Sequence, residues 1–177
     1  MMKQIGMGLL AGVAGTAALT AMVQLEKRAL PWGQKHNALF PHKVVKKAES
    51  FLGLEGRLSG KAETAAIEGS NFAYGSLMGA VYGWAAPKLN VSPWVSGPLF
   101  GLALWAVGLS GWVPGIGAEQ PPWKKDPMQA IMPVLSHLAY GLAAAAVLQT
   151  YEKNQGLLKK KGSFLFDLFG VSPTGSE

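Results

Sequence analysis

Long stretches without one acidic or basic side chain constrain this chain more than any other feature. No Asp, Glu, Lys or Arg occurs over 4–25, 69–87, 89–118 or 127–151. The charge is gathered mainly in 26–68, 119–126 and 152–161. A soluble domain carries roughly a quarter charged residues, whereas this chain has 15% charged and 49% hydrophobic residues. A helix rises about 1.5 Å per residue, so roughly 20 residues cross about 30 Å of hydrocarbon. The pattern predicts an all-α, integral membrane four-helix bundle, a single domain over residues 1–177.

The predicted spans are Ile5–Leu25, Gly69–Ala86, Val95–Val113 and Met128–Tyr151. Pro98 then lies in the first turn of the third span, where a missing N–H costs little. A competing reading of the first span is a signal peptide, since Met-Met-Lys precedes an apolar run; that run is longer than a typical signal core. Trp84 and Trp94 flank the connection 87–94 and are expected at one interface. Trp32, Trp112 and Trp123 are expected at the other, as an aromatic belt, with Trp105 alone mid-span.

Lipid tails are as apolar as leucine, so helices in a bilayer are held by close backbone contact and dispersion. Small residues at four-residue spacing supply that surface: Gly8, Gly12 and Thr16 in the first span, and Gly75, Gly79 and Gly83 in the second. Gly97 and Gly101 do so in the third, and Gly141 with Ala145 in the fourth. Ser70-Asn71-Phe72-Ala73-Tyr74-Gly75 is similar to Ser136-His137-Leu138-Ala139-Tyr140-Gly141. Gly8-x-Leu10-x-Gly12 matches Gly97-x-Leu99-x-Gly101 in the same way. Two repeated helical hairpins, parallel to one another, would produce this, and so would chance in apolar low-complexity helices.

In the first loop, 26–68, residues 41–53 read as an amphipathic helix with Val44, Ala48, Phe51 and Leu52 on one face. It is expected in the headgroup plane, against anionic lipid; the alternative is a cap held by protein contacts. The tail, 152–177, places Lys159–Lys161 before Phe164, Phe166 and Phe169, a pattern that suits an anionic lipid surface or a partner's groove. Orientation follows from Lys and Arg. Lys27, Arg28, Lys35, Lys43, Lys46, Lys47, Arg57, Lys61, Lys124 and Lys125 make ten on the side of the first loop, against six on the other. The positive-inside rule therefore places loop 26–68 in the cytoplasm, although the triple lysine opposes this. The formal charge of +6 thus sits beside apolar spans and is read as lipid-directed, with no nucleic acid as partner.

Within the spans only His137 is ionisable, one turn after Pro133. A proline there frees the Gln129 carbonyl and kinks the helix. Two readings stand: a small lined cavity, or a neutral His137 bonded to another helix through Asn71, Tyr74 or Thr16. Tyr140 joins these as a candidate polar group. The macrodipole at a helix start accounts for Glu68. His36 and His42 share no helical face, there is no Cys, and HExxH, P-loop and GxSxG motifs are absent, so no catalytic residue, metal site or cofactor is expected.

Gly12-x-x-Gly15-Thr16, Ala73-Tyr74-Gly75, Tyr82-Gly83 and His137-Leu138-Ala139-Tyr140-Gly141 resemble small uncharacterised bacterial inner-membrane proteins, loosely the YagU-like group. The resemblance covers the four spans and neither 30–61 nor the tail. It implies a bacterial inner membrane and four helices, and brings no reaction with it. The expected function is a non-enzymatic accessory, scaffolding or stress-related module acting through helix and lipid contacts, as a homo-oligomer or with a membrane-protein partner. The alternatives are a small transporter or channel for a proton or small solute at Pro133 and His137, and a quinone- or cofactor-binding subunit.

Overall fold

The computed structural model describes residues 2–29, 40–51, 53 and 60–169, and among these all regular structure is helical. The expected places of Trp32, His36 and Leu52, and of the side chains of Val44 and residues 158–169, lie outside what is described. The helices are α1 (Met2–Ala29), α2 (Phe40–Phe51), α3 (Gly60–Ala85), α4 (Pro93–Val107), α5 (Val113–Gly115) and α6 (Pro127–Phe169). Three stretches are long and apolar enough to cross a membrane: Met2–Glu26, Pro93–Gly115 and Pro127–Leu157. By length and composition this is a membrane protein.

Several expected boundaries need correction. Helix α3 begins at Gly60, so Glu68 lies inside it and the acid of its first turn is Glu63. The helix-start account therefore belongs to Glu63. Lys61, Glu63 and Glu68 looked like loop residues because they are charged; charge ends a span but not a helix. Helix α4 begins at Pro93, which puts Pro98 in its interior, where the missing N–H frees the Trp94 carbonyl. The third span is also not one α-helix. A π-turn over Gly108–Trp112, closed by the Val113 N–H on the Gly108 carbonyl, separates α4 from α5. Finally, α6 runs on through 43 residues, about 65 Å at 1.5 Å per residue, so the first part of the tail is helical.

Glycines decide which helices touch. A Cβ on Gly79 would run into the Gly12 backbone and the Gly8 carbonyl, and one on Gly83 would stand 2.7 Å from Gly8 Cα. A Cβ on Gly12 would strike the Gly75 carbonyl. Helices α1 and α3 thus lie antiparallel at backbone contact. On the far pair, a Cβ on Gly97 would come 2.6 Å from Ala145 Cβ, and one on Gly101 would strike the His137 carbonyl. So α4 and α6 are antiparallel too. Helix α1 lies between α3 and α6, and α4 leans on α6.

Helices α3 and α4, though joined by the turn at Ala86–Lys88, meet through side chains instead. Tyr82 and Phe100 have ring centroids 5.0 Å apart, and Tyr74 and Trp112 6.4 Å apart. Ala11, Tyr82, Tyr140, Ala144, Ala145 and Leu148 form the buried core. At the α3–α4 turn Trp84 and Trp94 are both exposed, and Lys88 Nζ sits 3.3 Å from the Trp84 ring centroid, an arrangement suited to an interface.

Helix α2 is tied to α3 by charge. Two of the apolar side chains of its other face are exposed, Ala48 and, at 91%, Phe51, while Glu49 is buried. Lys46 Nζ reaches Glu63 Oε1 at 2.8 Å and Glu49 Oε2 at 3.2 Å. Donating hydrogen bonds to Glu63 and then to Glu49 raises the Lys46 pKa above its usual 10.5. A raised folded value means the tie is complete below the usual value and is lost as pH climbs through the raised one. A spin label at Ser50→Cys should therefore gain mobility in Lys46→Ala, and in the parent only at strongly alkaline pH.

Candidate functional site

Of the predicted polar residues only Thr16 and Tyr140 come together; His137, Asn71 and Tyr74 do not join them. Thr16, Tyr140 and the glycines between them form one node. The Tyr140 ring of α6 covers Gly15 of α1, where a Cβ would stand 2.7 Å from two ring carbons. Its hydroxyl, thus carried past α1, donates to the Gly75 carbonyl of α3 at 2.6 Å. Thr16 donates to the Gly12 carbonyl at 2.8 Å, and its hydroxyl fills the space a Gly75 Cβ would need. Thr16 and Tyr140 are each 2% exposed. Three helices are therefore joined at one depth, with Gly15 as the residue that sequence reasoning left without a partner.

Removing the hydroxyl by which this node bridges two helices should cost little but measurably. Tyr140→Phe is expected to lose about 1 kcal/mol, the range of interhelical hydrogen bonds in bilayers. Denaturant titration in mixed micelles checks it; no change would mean that the ring alone carries the node.

The expected partners of His137 are not met. Its Nδ1 lies 2.7 Å from the Pro133 carbonyl of its own helix, and among the described residues no hydrogen bond joins it to Asn71, Tyr74 or Thr16. Asn71 is half-buried, and Tyr74 is 40% exposed and turned to Trp112. A histidine one turn after a proline satisfies itself locally, which the spacing Pro133–His137 already contains.

Two polar contacts had no counterpart in the sequence reading. Ser136, 2% exposed, lies with its Oγ 3.0 Å from Glu26 Oε1 of α1 and 3.2 Å from the Met132 carbonyl. Glu26 belongs to α1 and not to the loop, because the helix continues past the last uncharged residue of the span. Tyr82, fully buried, has its hydroxyl 2.9 Å from Ser96 Oγ, tying α3 to the start of α4.

At the opposite end of the bundle from Glu26 an open cleft of about 390 Å³ lies between α1, α3 and α6, with Gln4, Gly83, Tyr151 and Glu152 in its walls. Among the described residues no three His, Asp or Glu side chains converge as a metal site would need. No family model matches the chain, and no curated protein or solved structure matches it either.

Proposed function

We propose that this chain is a four-span inner-membrane module with no reaction of its own, an accessory, scaffolding or stress-related protein acting through helix and lipid contacts. The observation that carries this is the backbone contact of α3 with α1. A helix leaning on a spanning helix along Gly75, Gly79 and Gly83 shares its depth, so α3 is the fourth span despite its lower hydropathy. Of the residues that lower that hydropathy, Tyr82, Gly75, Gly79 and Gly83 are buried and Asn71 is half-buried.

The two hairpins are read as repeats. Gly8 and Gly12 meet Gly79 and Gly75, while the matching Gly97 and Gly101 meet Gly141 and His137, one turn further along. The motifs shared with YagU-like proteins favour a bacterial inner membrane, and the lysine count favours loop 26–68 in the cytoplasm. The exposed Phe51 beside Lys47 suits α2 to an anionic headgroup layer. Extraction into lipid nanodiscs followed by native mass measurement tests the module: a defined homo-oligomer, or one partner at fixed stoichiometry, is expected. Monomer alone would sink it.

The contact of Glu26 with Ser136 favours a second reading, a small proton or solute pathway, because it brings a carboxylate to the helical turn of His137 and Pro133. His137→Ala would then alter flux in liposomes without unfolding the chain. A broad solute panel with no flux rejects it.

A further inference from the structure

Ser136 has one hydroxyl proton and two acceptors around it, Glu26 Oε1 at 3.0 Å and the Met132 carbonyl at 3.2 Å. A hydroxyl donates once and accepts through its lone pairs. With Glu26 ionised, the Ser136 proton turns to the carboxylate, and the Met132 carbonyl keeps its helical backbone donor. With Glu26 protonated, the carboxyl O–H donates to Ser136 Oγ, and the Ser136 proton turns to the Met132 carbonyl. Both states use the same heavy-atom positions; only a hydroxyl rotates. Ser136 is 2% exposed and so shielded from water, while Glu26 is half-buried at the end of its span and reaches the surface.

We propose that Glu26 is a reversible proton-binding site at one face of the membrane, with Ser136 as the hydroxyl rotor that serves both protonation states. The site takes its proton whether or not any solute crosses, so it stands apart from either functional reading above. Among the described residues few titratable groups lie around it. From α6 the neighbouring titratable side chain is His137, held by the Pro133 carbonyl. From α3, the register of the Gly8–Gly79 and Gly12–Gly75 contacts brings Lys61 level with Glu26; Lys61 is exposed, and Glu63 beyond it is engaged by Lys46. On α1 itself Lys27 and Arg28 follow, Arg28 being exposed.

Infrared difference spectra of the protein in bilayers, titrated between about pH 3 and about pH 9, from below the ordinary carboxylate value of about 4 to well above it, test this. The parent should show a hydrogen-bonded carboxylic C=O band that appears on acidification and is missing from Glu26→Gln. Ser136→Ala should keep the band, weaken its hydrogen bonding, and tighten proton binding about tenfold, because the charge-assisted bond to the ionised form is gone. Ser136→Thr, which retains a hydroxyl, should return both towards the parent. Identical titrations of the parent and Glu26→Gln would overturn the proposal. Where Glu26→Gln fails to fold, a Ser136→Ala titration that matches the parent in band and midpoint overturns it, because a purely structural serine alters stability alone.

Discussion

Gly79→Leu should abolish the folded bundle. Its Cβ would be driven into the Gly12 backbone and the Gly8 carbonyl, and no flexible side chain stands there to move aside. Overpacking usually costs about 1–3 kcal/mol where neighbours can shift. Here a whole helix must shift, and the contacts of Gly8, Gly12 and Gly83 are lost with it. A loss well above about 3 kcal/mol is a large part of the about 5–15 kcal/mol that holds an ordinary domain. Gly6→Leu is the control, because nothing lies within 4 Å of a Cβ at Gly6. Size-exclusion profiles and denaturant midpoints should leave Gly6→Leu at the parent's value and show Gly79→Leu aggregated or absent. Gly75→Ala is a finer probe: its chief obstacle is the Thr16 side chain, so Thr16→Ala in the same chain should recover much of the loss.

Gly101→Leu should do something different, peeling α4 from α6 while α1 and α3 stay together. The backbone contacts of α4 are with α6, at Gly97 against Gly141 and at Gly101 against the His137 carbonyl. Its ties to α3 run through Tyr82, whose ring meets Phe100 and whose hydroxyl meets Ser96 and the Pro93 carbonyl. The chain has no Cys, so a single introduced thiol reports one position. A thiol at Leu109→Cys, at a site 8% exposed in the π-turn, should label slowly alone and at least about tenfold faster with Gly101→Leu. A thiol at Ala11→Cys, in the α1 core, should stay protected in both. Equal labelling of both sites would mean that the bundle opens as one unit.

The parts of this fold that follow from periodicity were legible in the sequence. Small residues four apart mark the faces that touch, and uncharged windows mark where three helices can cross. What periodicity cannot carry is which groove a given side chain enters. Tyr140 reaches Gly75 across 65 residues of chain, and Ser136 reaches Glu26 across 110. The first needs the register of two helices on a third and the second that of α6 on α1, and one residue of slip would send either hydroxyl elsewhere. Helix ends were misjudged for a related reason. Charges at Lys61, Glu63 and Glu68 bound an apolar span but not its helix, since charged side chains do not unwind a helix that runs past it. The π-turn at Gly108–Trp112 gave no usable signal, although Gly108 and Gly111 permit it. His137 stood out for being ionisable, yet its nearest acceptor was always one turn away on its own helix.

The crossing of α3 decides most directly between this account and its rivals, because three helices are apolar enough to span on their own and the proposed fourth span rests on the contact of α3 with α1. Single thiols at Lys61→Cys, Asn90→Cys and Gln120→Cys lie at exposed positions at the two ends of α3 and after α5. With a membrane-impermeant maleimide on sealed, oriented vesicles, the thiol at position 90 should react from one face, and those at 61 and 120 from the other. Reaction of positions 61 and 90 from the same face would show that α3 does not cross, and would contradict the four-span bundle.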